Sequence, residues 1–553
     1  MSEATAAPAP TTSGGFLGLI ERAGNKVPHP VLMFLYLIIG VVVLSSVLAW
    51  AGVSVTETIA VPDSVEVVPG YYEDSTQPFL EPGDLDYEDG WHLEEVTIPV
   101  KGMLSVEGIR FIFTSFVPNF AGFGVIAVTF VALMGAGVAE AGGLMGALIR
   151  LLVGASPRRL LAFILIFVRV LSSVASDAGY LILVPLGAAA FMSVGRHPLA
   201  GMAACFAGVG AVFGVNPILG PIDAMVTEIT NEALGATTAE PLTIVANWFF
   251  SIASSVVLAI VAAVVTERIV EPRLGTYVPA SADDPTGISI EDPADDVTDP
   301  EADRRGLRYA LFGFLGFLAL LLVITVPEGA PLRDPETGDI IGTTPFMDSL
   351  LFIIAMFFLI AGVAYGRGAG TFRSANDVIA AVTKTFAGLA GLVFMLLMIS
   401  QFIAYFNYTN LPRVLAVGLA EWLQSAGIPA LPLLIGLIVI ILFLDVIIPG
   451  VVPKWAIFAP IFIPLFLQLG IPPQTALAAY RVGDSPLNVV TPLMVYLPFM
   501  VTIAQRYQRD AGIGTIIALM LPYVVTIAIA WIVLFVLWYV LALPLGPGYP
   551  VTI

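Results

Sequence analysis

The amino-acid sequence predicts an all-α polytopic membrane protein, organised as an inverted repeat with nine transmembrane helices and two opposed re-entrant hairpins. Three observations lead to this prediction. The 553 residues are 58% hydrophobic and only 12% charged, a balance that water-soluble domains of this length do not show. Apolar runs of about 20 residues, the length that crosses the hydrocarbon core of a bilayer, recur along the chain. Gly/Pro motifs also recur at nearly one spacing in the two halves.

Nine segments are predicted to cross the bilayer once. Six are uninterrupted apolar runs and the last three are longer: 31–51, 244–266, 307–326, 346–366, 386–407 and 512–541, then 107–140, 198–233 and 474–505. Segments 160–194 and 431–467 are too long, and too interrupted by Gly and Pro, for single spans. We therefore predict that each of these two enters and leaves the membrane on one side.

The basic residues support this topology. With the N-terminus in the cytoplasm, only four of them fall in outer loops, namely Lys101, Arg110, Arg333 and Arg413. Three more fall at membrane depth, namely Arg169, Lys454 and Arg481. The remaining 16 of the 23 Lys and Arg residues face the cytoplasm, in agreement with the positive-inside tendency. The first hairpin then opens to the cytoplasm and the second to the outside, as an inverted repeat requires.

The acidic residues mark two linkers. Residues 63–95 and 271–303 hold 21 of the 42 acids and lack the apolar periodicity of a packed domain, so we interpret both as solvated linkers or hairpins. The single cysteine, Cys205, lies in an apolar segment, which excludes a disulfide framework and favours a small core residue.

The predicted organisation is a cytoplasmic N-terminal segment 1–30, a first half 31–266 with hairpin 160–194 and broken helix 198–233, an acidic cytoplasmic linker 267–306, a second half 307–541 with hairpin 431–467 and broken helix 474–505, and an external C-terminal tail 542–553.

An internal repeat marks the candidate site. Each hairpin is followed by a span that contains Gly-x-(Asn or Ser)-Pro, beginning at Gly214 in the first half and at Gly483 in the second, 269 residues later. Laying Pro185 against Pro460 gives an offset of 275. Proline removes a backbone donor and glycine tolerates unusual backbone angles, so both spans are expected to unwind at mid-membrane rather than merely kink. Backbone groups freed at that depth must line a cavity, where carbonyls bind cations and half-helix N-termini face anions.

Ionisable side chains inside a bilayer indicate function because their burial is costly. The candidates are Glu140, Arg169, Asp177, Asp445, Lys454, Arg481 and Asp484. Arg481 and Asp484 lie three residues apart, so on a helix they share a face and either pair or present opposite charges to a ligand. Lys454 either snorkels or approaches a substrate, and Trp455 either packs or forms an aromatic platform.

At these residues the sequence resembles the aminobenzoyl-glutamate transporter (AbgT) family. The segments that carry the resemblance are 176–180, 194–201, Asn216-Pro217, Lys454-Trp455-Ala456 with Ala459-Pro460, and 480–485 with Thr491-Pro492. The resemblance covers residues 16 to 541. It implies an ion-transporter-like fold, a homodimer with a site in each subunit, and transport of p-aminobenzoyl-glutamate or export of sulfonamide-like antimetabolites, driven by a cation gradient. Family positions match at Asp177, Trp455, Arg481, Asp484 and Pro492, whereas the second hairpin tip reads Val451-Val452-Pro453 and lacks hydroxyl groups.

These observations lead to a hypothesis for a secondary transporter of the bacterial inner membrane. The predicted substrate-binding residues, which would hold an anionic aromatic amide, are Asn216, Trp455, Arg481, Ser485, Asn488 and Pro492. Ser176, Asp177 and Asp484 are predicted to couple transport to a cation, with H⁺ favoured over Na⁺ and Asp177 as the better proton carrier. A Na⁺ ion is possible near Ser173, Asp177 and Asn216. No cofactor and no nucleic-acid partner are expected, and uptake and export remain open.

Two other classes compete with this hypothesis. A metal-dependent intramembrane hydrolase needs clustered ligands, but His29, His92 and His197 are the only histidines and none lies in a His-Glu-x-x-His motif. A serine hydrolase needs a base beside Ser176 or Ser485, and none is evident in the sequence. A channel would favour a continuous polar pore, whereas opposed hairpins indicate an occluded site.

Overall fold

The computed structural model describes residues 30–62, 91–154, 157, 160–172, 178–235, 237, 239–277, 300–341, 344–446, 448, 450–491, 494 and 496–552. The described chain is predominantly helical. The first-half helices are α1 (Pro30–Trp50), α2 (Val106–Ala121), α3 (Gly124–Gly142), α4 (Leu144–Gly154), α5 (Leu161–Ser172), α6 (Ala178–Ser193), α7 (Pro198–Gly210), α8 (Pro221–Leu234) and α9 (Trp248–Val265). A π-helical turn, Thr266–Val270, joins α9 to the short helix α10 (Glu271–Leu274).

The second half contains eleven further helices in the described residues. These are α11 (Pro300–Thr325), α12 (Pro345–Asp348), α13 (Leu350–Ala369), α14 (Ala375–Gly388), α15 (Ala390–Tyr408), α16 (Leu411–Ser425), α17 (Ala430–Asp445), α18 (Val451–Gln468), α19 (Pro473–Asp484), α20 (Leu497–Gln505) and α21 (Ile513–Val540). A 3₁₀ turn, Pro486–Val489, lies between α19 and α20.

The predicted membrane-protein class is confirmed. Eight helical segments among the described residues are long and apolar enough to cross a bilayer: Val31–Trp50, Val106–Gly142, Trp248–Leu274, Pro300–Thr325, Leu350–Ala369, Ala390–Tyr408, Val451–Gln468 and Ile513–Val540. The predicted crossings 198–233 and 474–505 are absent from this set because each is divided into helices shorter than 18 residues. The count of nine crossings and the re-entrant paths stay predictions.

The predicted single crossing 107–140 is divided into two helices. A continuous helix of 37 residues would be about 55 Å long, well beyond the roughly 30 Å of hydrocarbon. Helix α2 ends at Ala121 with Gly122 as its C-cap, and the extended backbone of Phe123 precedes α3. The helical run is therefore interrupted at Gly122 and Phe123.

The ends of the first acidic segment form a two-stranded antiparallel ribbon. Strand β1 (Ser54–Pro62) pairs with β2 (Trp91–Pro99), with Ser54 opposite Pro99 and Pro62 opposite Trp91. Most of the acids of this segment lie between the strands, in residues 63–90, outside the described residues.

Two acids at the ends of the second acidic segment form ion pairs. The Arg196 guanidinium lies 2.5 Å from a Glu271 carboxylate oxygen and stacks over the Phe191 ring. Asp303 pairs with Arg150 at 2.8 Å and accepts a hydrogen bond from the Tyr365 hydroxyl. These contacts tie the ends of the linker to the helices.

Small residues let the helices pack closely. A side chain at Gly135 of α3 would overlap the backbone of Ala355 in α13, and one at Gly362 would lie 2.6 Å from the Cα of Ala139. Close backbone approach of this kind is how membrane helices associate without a hydrophobic driving force between them.

The core lies around α7, α18 and α19. Every residue of α7 and of α19 is buried. Helix α7 tolerates this because it consists mainly of Ala, Gly and other apolar residues, and the thiol of Cys205 lies buried within it. Helix α19, by contrast, buries Tyr480, Arg481 and Asp484, so the centre of the molecule is polar.

The C-terminal residues pack against both halves. Leu545 and Val551 are buried. Thr475 and Gln474, at the start of α19, donate side-chain hydrogen bonds to the carbonyls of Val551 and Pro550. The tail predicted for residues 542–553 is therefore a packed segment, and its external location remains a prediction.

Candidate functional site

Both Gly/Pro segments leave helical geometry. Helix α7 ends at Gly210, and α8 begins at Pro221 after ten residues of turns and irregular backbone. Helix α19 ends at Asp484 and is followed by the 3₁₀ turn. We call residues 211–220 the first break and residues 485–491 the second break. Pro486 cannot donate a helical hydrogen bond, which explains why α19 stops at Asp484. Pro217 lies within the first break, beyond the end of α7 at Gly210.

The two breaks touch each other. The Gly214 N–H donates to the Ser485 Oγ at 2.7 Å, and the Arg481 guanidinium donates to the Gly214 carbonyl at 3.2 Å. A Cβ at Gly214 would lie 2.7 Å from the Ser485 Oγ and 3.1 Å from the Arg481 carbonyl, so only glycine allows this approach. Backbone groups released from helical pairing are thus satisfied by the opposite half.

Arg481 binds Asp223 rather than the neighbouring Asp484. Its Nη1 lies 2.5 Å from the Asp223 Oδ1, and both side chains are almost completely buried. The other carboxylate oxygen of Asp223 accepts a hydrogen bond from Gly220 N–H at the start of α8. Arg481 Nε is buried and has no hydrogen-bond partner among the described residues. The sequence reasoning missed Asp223, although an acid three residues into a helix after a Gly-Pro break is a typical capping signal.

Asp484 belongs to a second buried cluster with Lys454 and Asp445. The Lys454 ammonium lies 2.8 Å from Asp484 Oδ1 and also pairs with Asp445 Oδ1. All three side chains have zero exposure. Lys454 therefore neither snorkels nor lines an open surface; it lies where α17, α18 and α19 meet. The sequence placed all three residues in the membrane but did not predict that they converge.

Trp455 is packed between the halves. Its indole Nε1 donates to Thr230 Oγ1 of α8 at 2.9 Å, and its ring stacks on Tyr480 with centroids 4.4 Å apart. The side chain is fully buried. Trp455 therefore packs against Tyr480 on α19, the helix that ends at Asp484, and its predicted role towards a substrate stays a prediction.

The amide side chains hold the breaks in place. Asn216 donates to the Val170 carbonyl at 2.7 Å and accepts from Ile218 N–H at 2.8 Å, which fastens the first break to the end of α5. Asn488 donates to the Asp484 carbonyl at 3.3 Å. A cavity adjoins the first break and is lined by Phe213, Gly214, Val215, Asn216, Gly220, Pro221, Ile222 and Asp223. It lies beside the Arg481–Asp223 pair.

Several residues that were predicted to belong to the site lie outside the described residues or away from the breaks. Ser173, Ser176, Asp177 and Pro492 lie outside the described residues, so their predicted roles stay predictions. Glu140 is exposed near the end of α3. Among the described residues, no group of three or more His, Cys, Asp or Glu side chains is arranged to hold a metal ion.

Comparisons with known proteins find relatives that match nearly the whole chain. The chain is 33% identical over 545 residues to the p-aminobenzoyl-glutamate transport protein of Escherichia coli (strain K12), with 98% of each chain covered. The fold is similar to the YdaH transporter of Alcanivorax borkumensis, with a TM-score of 0.81, 35% identity, and coverage of 94% of this chain and 100% of that one. It is also similar to the antimetabolite efflux pump MtrF of Neisseria gonorrhoeae, with a TM-score of 0.83, 36% identity, and coverage of 97% and 100%.

The model of the AbgT putative transporter family matches residues 15–553, nearly the whole sequence. Together with the membrane-spanning helices and the two facing breaks, this match shows that the chain belongs to the AbgT family of transporters.

Proposed function

We propose that this protein is a secondary active transporter that carries p-aminobenzoyl-glutamate or a related anionic aromatic amide across the bacterial inner membrane by alternating access. The observation that carries the proposal is the buried Arg481, which reaches from the second half to the first break and keeps one guanidinium nitrogen without a partner among the described residues. A buried guanidinium at two unwound helices suits a carboxylate or sulfonyl group.

Asp223 supplies a carboxylate to Arg481. A buried arginine without a counter-charge is strongly unfavourable, and the 2.5 Å contact with Asp223 removes that cost. An entering anion would compete with Asp223 for the guanidinium and take contacts from Asn216, Ser485 and Asn488 at the breaks. Substrate binding thereby loosens one of the contacts that join the halves, which links occupancy to the change of access.

Coupling to a cation gradient supplies the driving force in this proposal. Asp484 lies next to the second break, and the predicted coupling residues Ser176 and Asp177 follow α5, to whose end Asn216 binds. We favour H⁺ over Na⁺ as the coupling ion. We also propose a homodimer with one site in each subunit, a cytoplasmic N-terminus and an external C-terminus.

Export of sulfonamide-type antimetabolites by proton antiport is the second candidate function. It is favoured by the similarity to MtrF over 97% of this chain. Sulfonamides share the aromatic amine and a polar, oxygen-rich group with aminobenzoyl compounds, so one guanidinium suits both. The direction of substrate transport then depends on the coupling stoichiometry and on the cation gradient, and it does not require a different binding site.

Binding to the purified protein tests both candidates. We expect p-aminobenzoyl-glutamate and a sulfonamide to compete for one site in titration calorimetry, and Arg481→Met to weaken both by about tenfold or more, since a charge-assisted hydrogen bond contributes about 1.5–3 kcal/mol. Arg150→Met, which removes an arginine from the exposed pair with Asp303, is the matched control and should bind normally. Absence of binding by the unmodified protein would refute the proposed substrate class.

Transport in proteoliposomes tests the mechanism. An imposed pH gradient and then an imposed Na⁺ gradient should be applied to the same preparation loaded with labelled substrate. Accumulation driven by the pH gradient, and its direction, identify the coupling ion and separate uptake from export. Current at rates far above those of a carrier would instead favour a channel.

A further inference from the structure

We propose that Asp445, Lys454 and Asp484 form a proton-binding site in which the Lys454 ammonium replaces a free metal cation, so that the second half of this transporter takes one proton and excludes Na⁺. The inference rests on the proposed cation-coupled transport and deepens it. It assigns two residues to the coupling reaction: Asp445, which had no predicted role, and Lys454, which was predicted to snorkel or to approach a substrate.

The position of the ammonium is the first argument. Lys454 Nζ is surrounded by three oxygens: Asp445 Oδ1, Asp484 Oδ1 at 2.8 Å, and the Asp484 carbonyl at 3.5 Å. That carbonyl belongs to the end of α19, where the helix dipole favours a cation. In transporters with broken helices, carbonyls and carboxylates of this kind hold the coupling cation. In this protein the ammonium group of Lys454 occupies the position of that cation.

The charge of the cluster is the second argument. Two carboxylates and one ammonium carry a net charge of −1 when all are ionised, and all three side chains have zero exposure. An uncompensated charge in a dry interior costs several kcal/mol. Binding of one proton makes the cluster neutral. Lysine already fills the space between the carboxylates, so a proton fits where a hydrated or dehydrated Na⁺ does not.

Two orphaned oxygens are the third argument. Asp445 Oδ2 and Asp484 Oδ2 are buried and have no hydrogen-bond partner among the described residues. An ionised carboxylate left in this state is costly, whereas the carbonyl oxygen of a neutral carboxylic acid is much less so. The arrangement therefore suits a cluster in which one of the two acids is protonated.

Tyr480 shows where the proton goes. Its hydroxyl oxygen lies 2.6 Å from the Val451 carbonyl and 2.9 Å from Asp484 Oδ1. A hydroxyl has one hydrogen, which can be donated to only one of these acceptors. With that hydrogen on the shorter contact, to Val451, the second contact becomes a hydrogen bond when Asp484 carries a proton and donates it to the tyrosine oxygen. We assign the proton to Asp484 Oδ1, bound from water on one side of the membrane and released on the other.

Other charged groups near the cluster are already accounted for. Arg481, on the same helix, is neutralised by Asp223 of α8. The other two acids of α8, Glu228 and Glu232, lie against Gly124 at the start of α3. Helices α15 and α21 and the 3₁₀ turn, which pack nearby, contain no charged residue. On α16, which packs against α18, Arg413 is partly exposed and Glu421 is exposed. The triad of Asp445, Lys454 and Asp484, together with Tyr480, therefore sets the protonation of this site.

Variants that remove and then restore the net charge of the cluster test the inference. In proteoliposomes, a gradient of about one pH unit should change the substrate ratio about tenfold for each coupled proton, and Na⁺ should have no effect. Asp445→Asn makes the cluster neutral without a proton, so the ratio should fall to one although exchange without a gradient persists. Adding Lys454→Met to Asp445→Asn restores the charge of −1 and should restore coupling. Lys454→Met alone leaves two bare carboxylates and should make transport stimulated by Na⁺.

Infrared spectroscopy tests the same site without any substrate. The carbonyl band of a protonated carboxylic acid should be present in the unmodified protein, smaller in Asp445→Asn and in Asp484→Asn, and regained in the Asp445→Asn, Lys454→Met double variant. Asp303→Asn, at the exposed pair with Arg150, is the control and should leave the band unchanged. Full coupling in Asp445→Asn, or a band that does not respond to these variants, would overturn the inference.

The two proposals fail in different ways. Absence of any substrate exchange by the unmodified protein refutes the proposed function, while the infrared result still decides the proton site. Normal exchange with Na⁺-driven accumulation in the unmodified protein keeps the transporter function and overturns the proton site.

Discussion

Ser485 in the second half accepts a hydrogen bond from the backbone N–H of Gly214 in the first half, at 2.7 Å. The two residues are 271 positions apart, and each lies in an unwound stretch of a broken helix. This one bond therefore joins the two breaks across the centre of the protein.

Gly214→Ala should damage this junction. The added methyl group would lie 2.7 Å from the Ser485 Oγ, and overpacking of a dense interior costs about 1–3 kcal/mol. We expect a lower unfolding temperature and at least a severalfold loss of transport rate. Gly316→Ala in α11 is the control, since no atom lies within 4 Å of its added methyl group. Equal effects of the two substitutions would contradict this account.

The sequence anticipated the breaks more completely than their partners. Proline and glycine act on the local backbone, so the interruptions near Gly214 and Gly483 could be predicted from single segments. The Arg481–Asp223 and Lys454–Asp445 pairs depend on how distant helices pack, and sequence spacing instead favoured the near neighbours Arg481 and Asp484. The docking of the C-terminal residues was missed for the same reason, because nothing local to them indicates their distant partners.

Asp223→Asn should increase the affinity for an anionic substrate while it destabilises the empty protein. The substitution removes the carboxylate that competes for Arg481, and loss of one partner of a buried pair costs about 3–5 kcal/mol. Calorimetry should show a lower Kd, and thermal unfolding should show a lower Tm that substrate largely restores. Unchanged or weaker binding would mean that Asp223 supports the site rather than competing for it.

Trp455→Phe separates packing from hydrogen bonding. Phenylalanine retains an aromatic ring against Tyr480 but removes the bond from the indole to Thr230. We expect a loss of about 1 kcal/mol in unfolding free energy and nearly normal substrate affinity. Thr230→Val should give a similar loss, and the double variant should lose less than the sum of the two. A large loss of affinity in Trp455→Phe alone would indicate direct contact with substrate.

His197 should make the start of α7 sensitive to acid. Burial lowers the pKa of His197 below its usual value, although the nearby Glu271 carboxylate opposes this shift. Its unprotonated Nδ1 accepts the N–H of Leu199 and caps the helix. Because the folded-state pKa is lower than the unfolded-state one, this contribution to stability is present above about pH 6.5. It is lost as the pH falls from there through the lowered pKa.

His197→Asn keeps a good helix cap without a titrating group. Its unfolding temperature should depend less on pH between about 5 and 7 than that of the unmodified protein. His197→Ala should lose the cap at every pH in this range. An identical pH dependence in His197→Asn would show that another group causes the effect.

Removal of residues 545–553 should loosen the contact between the halves at the start of α19. Leu545 and Val551 are buried, and Gln474 and Thr475 would lose their carbonyl acceptors. We expect a lower Tm and faster hydrogen exchange at the start of α9, where Phe250 N–H binds the Leu545 carbonyl. Val551→Ala, which retains every backbone acceptor, should have a much smaller effect. Because the triad lies at the other end of α19, truncation should leave the infrared band of the protonated acid unchanged, so a lost band would mean that the tail also positions Asp484.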